Sequence, residues 1–390
     1  MISKAFLRIN KEIQLLSLSF LLIFFGYNAT QQYLTTYFST IGLQDLGFQS
    51  LILIFLSFLI AGPISAIVVS KYGTKKSMIF ASLFYFFFIV SLTGGVLLIY
   101  FSSVLVGFAA SLLWTGQNSY LVKASDQKTY GENSGFFNSA LTLGSASGIL
   151  ILGFFINAFS FKSSFLIYSL LPLIGLILLT QLKDLPTEQK TNQLKLVKKS
   201  IKSMTALKLS AFYFSFSFIF GLVLGLIPLE IKNTLSITYV SLLTFTFWIM
   251  PILFSYISGK ISDVKGRKIM IVAAYIFGIL GLTSLYFSQY SIPLVIAIVL
   301  LALSYAIFRP MSFALVGDVS VERNLVPLTA LFWMAQNVGI LSALLISSEI
   351  QTRVIYLISI AVISASSLIL FPLLKLDLKE IKLKLSQEIK

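Results

Sequence analysis

Gly259-Lys260-Ile261-Ser262-Asp263-Val264-Lys265-Gly266-Arg267-Lys268 joins two long apolar runs, and a looser copy, Lys71-Tyr72-Gly73-Thr74-Lys75-Lys76, joins two others nearer the amino end. The longer stretch fits the pattern G-x-x-x-D-x-x-G-R-K. Gly266 permits a tight turn, and Asp263 can face a positive helix amino end or a basic side chain. Lys265, Arg267 and Lys268 would hold the loop at an anionic inner leaflet. An ordinary basic loop with a turn glycine would carry the same charges. Gly73 and Gly266 lie 193 positions apart, as do Ser119-Tyr120 and Ser312-Phe313. One offset serving two separate regions implies six helices duplicated in parallel, the two-bundle architecture of transporters.

Composition places these loops at a membrane. Hydrophobic residues make up 57% of the 390 and charged residues 11%, whereas soluble domains run near ~25% charged. A soluble protein so composed could not cover its exterior with polar groups; an apolar solvent removes that demand. The chain has no cysteine and no histidine. That excludes a disulfide framework, the usual zinc sites and any Ser-His or Cys-His catalytic pair. No metal, no cofactor and no enzyme activity are expected. A cysteine-free chain sits easily in a prokaryotic plasma membrane, and Met1–Glu12 is too polar for a signal peptide.

Apolar runs of spanning length are Leu15–Tyr37, Phe48–Ser70, Ser77–Thr93, Val96–Val122, Asn133–Asn157 and Phe165–Leu182, then Leu207–Ile231, Thr238–Ser258, Ile269–Phe287, Pro293–Val316, Leu325–Ser348 and Val354–Leu374. About twelve transmembrane helices follow, each needing roughly 20 residues. The expected organisation is an amino-terminal bundle over 1–182, a basic linker over 183–206, a second bundle over 207–376 and a tail over 377–390. The net charge of +15 does not point to nucleic acid, because of where it lies. Lys and Arg gather at the amino terminus (Lys4, Arg8, Lys11), in alternate loops and after Pro372, leaving Lys162, Lys232 and Arg353 on the other face. This bias sets both termini in the cytoplasm. Lys190, Lys195, Lys198, Lys199 and Lys202 in the linker fit either a basic amphipathic helix on the inner leaflet or a solvated connection.

The decapeptide at 259–268 resembles the loop signature of the major facilitator superfamily. The first-half copy departs from it, with Ser70 at the acidic position and Thr74 at the following arginine, so a strong inner latch is not expected there. Gly144, Gly148 and Gly153 lack the proline of the drug–proton antiporter signature. Leu113-Trp114-Thr115-Gly116-Gln117-Asn118-Ser119-Tyr120-Leu121 with Asn133-Ser134-Gly135-Phe136-Phe137 resembles the uncoordinated-93-like family of that superfamily, as do Gly47-Phe48, Val69–Lys75 and Tyr27–Gln32. The resemblance implies an all-α membrane protein with two six-helix bundles about a pseudo-two-fold axis. Animal members of that family are regulators of ion channels and trafficking chaperones of receptors, so it also implies a possible membrane-protein partner.

Polar residues inside the spans nominate a site. Asn28, Gln31, Gln32 and Thr35 share one face of the first span. Trp114, Gln117 and Asn118 do so on the fourth, Asn138 and Thr142 on the fifth, and Trp333, Gln336 and Asn337 on the eleventh. Amides facing lipid cost several kcal/mol, so these faces should meet one another, or water in a central cavity. Plain interhelical hydrogen bonding is the alternative. Arg309 lies deep in the tenth span, ~13 Å before Asp318 at helical rise. Its charge must be offset by an anionic substrate, a carboxylate, or carbonyls freed around Pro310. Asp45, Glu230, Glu349, Asp126, Glu132, Asp318 and Glu322 read as solvated end charges. Glu230, beside Lys232, is kept as a coupling candidate. The reading is thus a monomeric transporter or facilitator of a small solute by alternating access. Asn28, Gln31, Trp114, Gln117, Asn118, Asn138, Arg309, Trp333, Gln336 and Asn337 would bind, and Asp263, Gly266, Arg267 and Gly73 would gate. The alternative is a non-transporting regulator of another membrane protein.

Overall fold

The computed structural model describes residues 9–186, 192–235, 237–349 and 351–389. Lys4, Arg8 and Lys190 fall outside them, as do the side chains of Thr35, Pro228, Lys232 and Glu349. The helices are α1 (Lys11–Gln32), α2 (Leu34–Thr40), α3 (Gln44–Tyr72), α4 (Thr74–Ser91), α5 (Val96–Lys123), α6 (Tyr130–Ala158), α7 (Phe161–Thr180), α8 (Gln193–Lys202), α9 (Met204–Gly225), α10 (Ile227–Thr234), α11 (Ile237–Lys265), α12 (Arg267–Leu285), α13 (Ser291–Val319), α14 (Leu325–Glu349), α15 (Thr352–Leu374) and α16 (Leu378–Glu388). Among the described residues, eleven helices are long and apolar enough to cross a membrane. The remaining expected span, Thr238–Ser258, lies on the 29-residue α11.

Two expected spans are interrupted. The first breaks at Tyr33, which holds φ −90° and ψ 2° between α1 and α2. The seventh breaks at Leu226, because Pro228 has no N–H to continue the ladder and takes a place in the first turn of a new helix, α10.

The chain divides into two compact units. One holds the residues up to Ser125 together with Ala140–Leu194; the other holds Asp126–Ser139 and everything from Lys195. The amino-terminal end of α6 therefore belongs with the second unit, and its remainder with the first. Within the first unit α1 pairs with α7, α3 and α4 with α5, and α4 with α7. Within the second, α9 pairs with α15, α11 and α12 with α13, and α12 with α15. These are the same pairings displaced by one six-helix repeat. The backbone turns repeat as well. Gly73 has φ 88° and ψ 159°, and Gly266 has φ 91° and ψ 150°, a region open essentially to glycine alone.

Aromatic side chains fill each unit. Phe24 packs among Tyr27, Tyr85 and Trp114 in the first, and Phe212, Phe216 and Phe308 among Tyr213 and Tyr275 in the second. The outward surface is correspondingly apolar, with Leu97, Phe154, Ile292 and Leu368 all exposed, as a lipid-facing wall requires.

Two carboxylates close helix ends. Glu12 accepts from the Tyr120 hydroxyl (2.7 Å) and from the backbone N–H of Lys183 (2.9 Å). Glu388, at the end of α16, accepts from the Ser203 hydroxyl, the Thr205 N–H (3.1 Å) and the Thr205 hydroxyl (2.7 Å). It thereby caps the first turn of α9. Burial acts to raise the Glu388 pKa, but the hydrogen bonds from Ser203 and Thr205 outweigh it and the net shift is downward. This contribution is present above the ordinary glutamate pKa and is lost as pH falls through the lowered folded value.

A Cβ at Gly266 would meet nothing within 4 Å, and none would at Gly95, whose φ is −82°. Only conformation separates the two positions. Gly266→Ala is expected to cost about 1–3 kcal/mol, against a change within about 0.5 kcal/mol for Gly95→Ala, read from thermal unfolding in detergent.

Candidate functional site

The amino-terminal end of α6 carries unsatisfied N–H groups and a partial positive charge, as every helix start does. The Asp263 carboxylate meets it, accepting from the backbone N–H of Gly131 (2.9 Å) and of Glu132 (2.7 Å). Asp263 also pairs with the Arg267 guanidinium, whose Nε donates to Asp318 at 2.7 Å and whose Nη1 donates to the Ser262 hydroxyl. Arg267 thus lies between two carboxylates, and it is 5% exposed while Asp318 is 3% exposed. The structure corrects the expectation of a solvated Asp318: it is a buried partner of the loop signature. Glu132, also expected to be solvated, accepts from the Tyr256 hydroxyl (2.6 Å) and faces Lys260 Nζ at 3.8 Å.

Glycine makes this approach possible. A Cβ on Gly131 would collide with the Gly259 carbonyl and the Arg267 guanidinium, and one on Gly135 with the Ser255 carbonyl. Gly131 and Gly135 stand four apart against Ser255 and Gly259, also four apart, so the backbones of α6 and α11 come into direct contact.

One turn deeper, Arg309 is enclosed by rings. Its Cζ lies 4.7 Å from the Phe313 ring centre, 5.6 Å from that of Trp333 and 5.9 Å from that of Tyr305. Its Nε donates to Asn138 Oδ1 (3.3 Å), Asn138 Nδ2 donates to Ser255 Oγ (2.9 Å), and Ser255 Oγ donates to the Ala306 carbonyl (3.0 Å). Ala306 is the residue whose carbonyl loses its helical donor because Pro310 has no N–H. The freed carbonyl is therefore taken up by Ser255 rather than by Arg309 directly. Gln336 is buried nearby in sequence to Trp333, and Asn337 turns its Nδ2 back to the Trp333 carbonyl (2.8 Å), leaving its Oδ1 without a partner among the described residues.

In the first unit, Trp114 packs at a tilt against Phe24, ring centres 5.0 Å apart, and edge-on against Phe20 at 5.6 Å. Gln117 is 0% exposed, and neither its Oε1 nor its Nε2 has a hydrogen-bond partner among the described residues. Thr115 Oγ1, Asn118 Oδ1 and Ser119 Oγ on the same helix are also unmet. Asn28 is partly buried and donates to the Ser145 hydroxyl at 2.8 Å, and Gln31 is partly buried. Among the described residues the first-half loop has no counterpart of the Asp263 cluster: Lys75 approaches Asp184 at 3.7 Å, and that aspartate is largely exposed.

Glu230 accepts from the Ser288 hydroxyl at 2.7 Å, so its described partner is a hydroxyl. Sequence reading missed Glu12, Ser255, Tyr305, Phe313 and Glu388. Ser255 stands 117 positions from Asn138, and Phe313 read only as one half of a repeat match.

Removing the cation between Asp263 and Asp318 leaves two buried carboxylates facing each other. Arg267→Ala should cost about 3–5 kcal/mol, whereas Arg323→Ala, at an exposed position, should stay within about 0.5 kcal/mol. Asn138→Leu, which deletes the bonds to Arg309 and Ser255, should fall between them at about 1.5–3 kcal/mol. Thermal unfolding of the three variants in one detergent orders them.

The sequence profile of the Major Facilitator Superfamily matches residues 16–229 and 209–388. UNC93-like protein 3 of Arabidopsis thaliana is 34% identical over 112 residues, which are 28% of this chain and 23% of that protein. UNC93-like protein MFSD11 of Xenopus tropicalis is 28% identical over 145 residues, 36% of this chain and 33% of that one. The match thus spans a quarter to a third of these curated relatives. Solved structures agree over nearly the whole fold. The proton:xylose symporter XylE superposes with a TM-score of 0.76 at 14% identity, covering 93% of this chain and 94% of its own. A bacterial homologue of the iron transporter ferroportin, in an outward-facing state, gives 0.77 at 13%, covering 93% and 99%. The human organic anion transporter MFSD10 gives 0.74 at 11%, covering 93% and 100%. The chain belongs to the major facilitator superfamily and resembles its UNC93-like branch.

Proposed function

We propose that this protein is a secondary transporter or facilitator that carries a small polar solute across a membrane by alternating access. One observation carries the reading: Gln117, fully buried in a helix long and apolar enough to cross a membrane, has neither amide atom satisfied among the described residues. An amide without partners in an apolar surrounding costs a few kcal/mol. A bound solute or water that enters and leaves would supply the missing bonds and then release them, as a carrier requires.

Asn28, Gln31, Gln117, Asn118, Asn138, Gln336 and Asn337 would offer hydrogen bonds, Trp114 and Trp333 flat apolar walls, and Arg309 an electrostatic anchor. Asp263, Gly266 and Arg267, with Gly73 in the first half, would govern the inner ends. Releasing Asp263 from the α6 amides gives the cycle a discrete step, because a helix cap is either made or broken. Glu230 is the coupling candidate, and its described partner is the Ser288 hydroxyl. The same reading has the chain monomeric and places it in a plasma membrane, prokaryotic on its cysteine-free composition, with both termini in the cytoplasm. It makes no use of nucleic acid, metal or cofactor, and it is not an enzyme.

A second reading is favoured by the local likeness to UNC93-like proteins. There the same fold would serve as a non-transporting regulator or chaperone of another membrane protein, and a stable partner would copurify from native membranes.

A thermal-shift screen of the purified protein against metabolites, drugs and lipids separates them. A ligand at 100 times its Kd stabilises the folded state by about 2.7 kcal/mol. The transporter reading predicts at least one small polar solute whose shift disappears in Gln117→Ala or Arg309→Gln. A well-folded protein silent across the library would favour the regulator.

A further inference from the structure

Helix α8 ends at Lys202, Ser203 follows, and α9 enters the membrane at Met204. With so short a connection, α8 has to lie at the level of the lipid headgroups. Its sides are sorted accordingly. Gln193, Leu196, Val197 and Ser200 are buried against the protein. Leu194 and Ile201, seven apart and so on one edge, are 41% and 40% exposed. Between that edge and the buried side stand Lys198, Lys202, Lys195 and Lys199, which with Ile201 line a shallow groove.

Among the described residues Lys198, Lys199 and Lys202 make no ion pair. The Glu388 carboxylate is committed to Ser203 and Thr205 at the start of α9. Beyond the helix the exposed surface continues apolar through Met204 and Leu207, at 62% and 44% exposure. A soluble linker would have no use for that apolar edge. An interfacial helix uses it to sit among acyl chains while its lysines reach the phosphates above.

We propose that α8 is a docking surface for anionic phospholipid headgroups of the leaflet in which α9 begins. Leu194 and Ile201 seat the helix in the acyl boundary, and Lys198, Lys199 and Lys202, with Lys195 alongside, take the phosphodiester. The chain between the two six-helix repeats is thereby tied to the bilayer by charge as well as by burial. Lipid composition then acts on the connection between the repeats, without touching the polar residues assigned to a solute.

The test uses the full-length protein in dodecyl maltoside, with dioleoylphosphatidylglycerol or dioleoylphosphatidylcholine added and thermal unfolding followed. Phosphatidylglycerol should raise the midpoint by several degrees and phosphatidylcholine should not. The difference should vanish in 1 M NaCl, where the screening length falls to about 3 Å. The triple variant Lys198→Gln, Lys199→Gln, Lys202→Gln should lose at least half of the difference, while Lys379→Gln, Lys382→Gln, Lys384→Gln on α16 keeps it. Equal responses to the two lipids, or a loss confined to the α16 variant, would overturn the proposal. Should the α8 variant fail to fold, amide hydrogen exchange on the unaltered protein decides. Phosphatidylglycerol should slow exchange across residues 193–204, and slowing confined to other segments would overturn it.

Discussion

A charge held inside a membrane protein persists only if other groups of the protein offset its lost hydration. The cluster of Asp263, Arg267 and Asp318 meets that demand by joining four helices at one point. Arg267 opens α12, Asp318 closes α13, and Asp263 near the end of α11 takes the N–H groups that start α6. None of the three could be buried alone. Together they turn the loop after α11 into the place where the amino-terminal end of α6 is held, and glycines on both α6 and α11 are what let the backbones come near enough.

The first half keeps the glycine turn of this arrangement without its charges. Gly73 and Gly266 share one backbone conformation, yet Ser70 stands where the acid would be, and among the described residues a partly buried Lys75 meets a largely exposed Asp184 in place of the buried cluster. The first unit is tied instead through Glu12, Tyr120 and Lys183. The two repeats therefore share these helix pairings and differ in how the ends beside their glycine turns are fastened.

Much of this was legible in the chain. Apolar runs gave the spans, and the loop at 259–268 carried Asp263, Gly266 and Arg267 in a spacing whose chemistry is readable. Asp318 was misread, because a carboxylate at a helix end is usually solvated and its partner stands 51 positions away. The enclosure of Arg309 was half visible: the charge and Pro310 are in the sequence, whereas the relay through Asn138 and Ser255 to the freed Ala306 carbonyl joins three helices. Glu388 was overlooked for the same reason, since its role exists only once α16 folds back to the start of α9. Local signals report the turns and spans; the fastening of one helix to another is set by packing that distant residues share.

Because the chain contains no cysteine, paired spin labels can be placed on an unaltered background. Lys128 and Lys260 are exposed on either side of the contact between α6 and α11. The distance distribution between Lys128→Cys and Lys260→Cys, measured by double electron–electron resonance with and without Asp263→Asn, tests whether the Asp263 cap is a two-state fastening. The account predicts one short population when Asp263 is intact and a second, longer one when its charge is removed. A single unchanged population in both would contradict it.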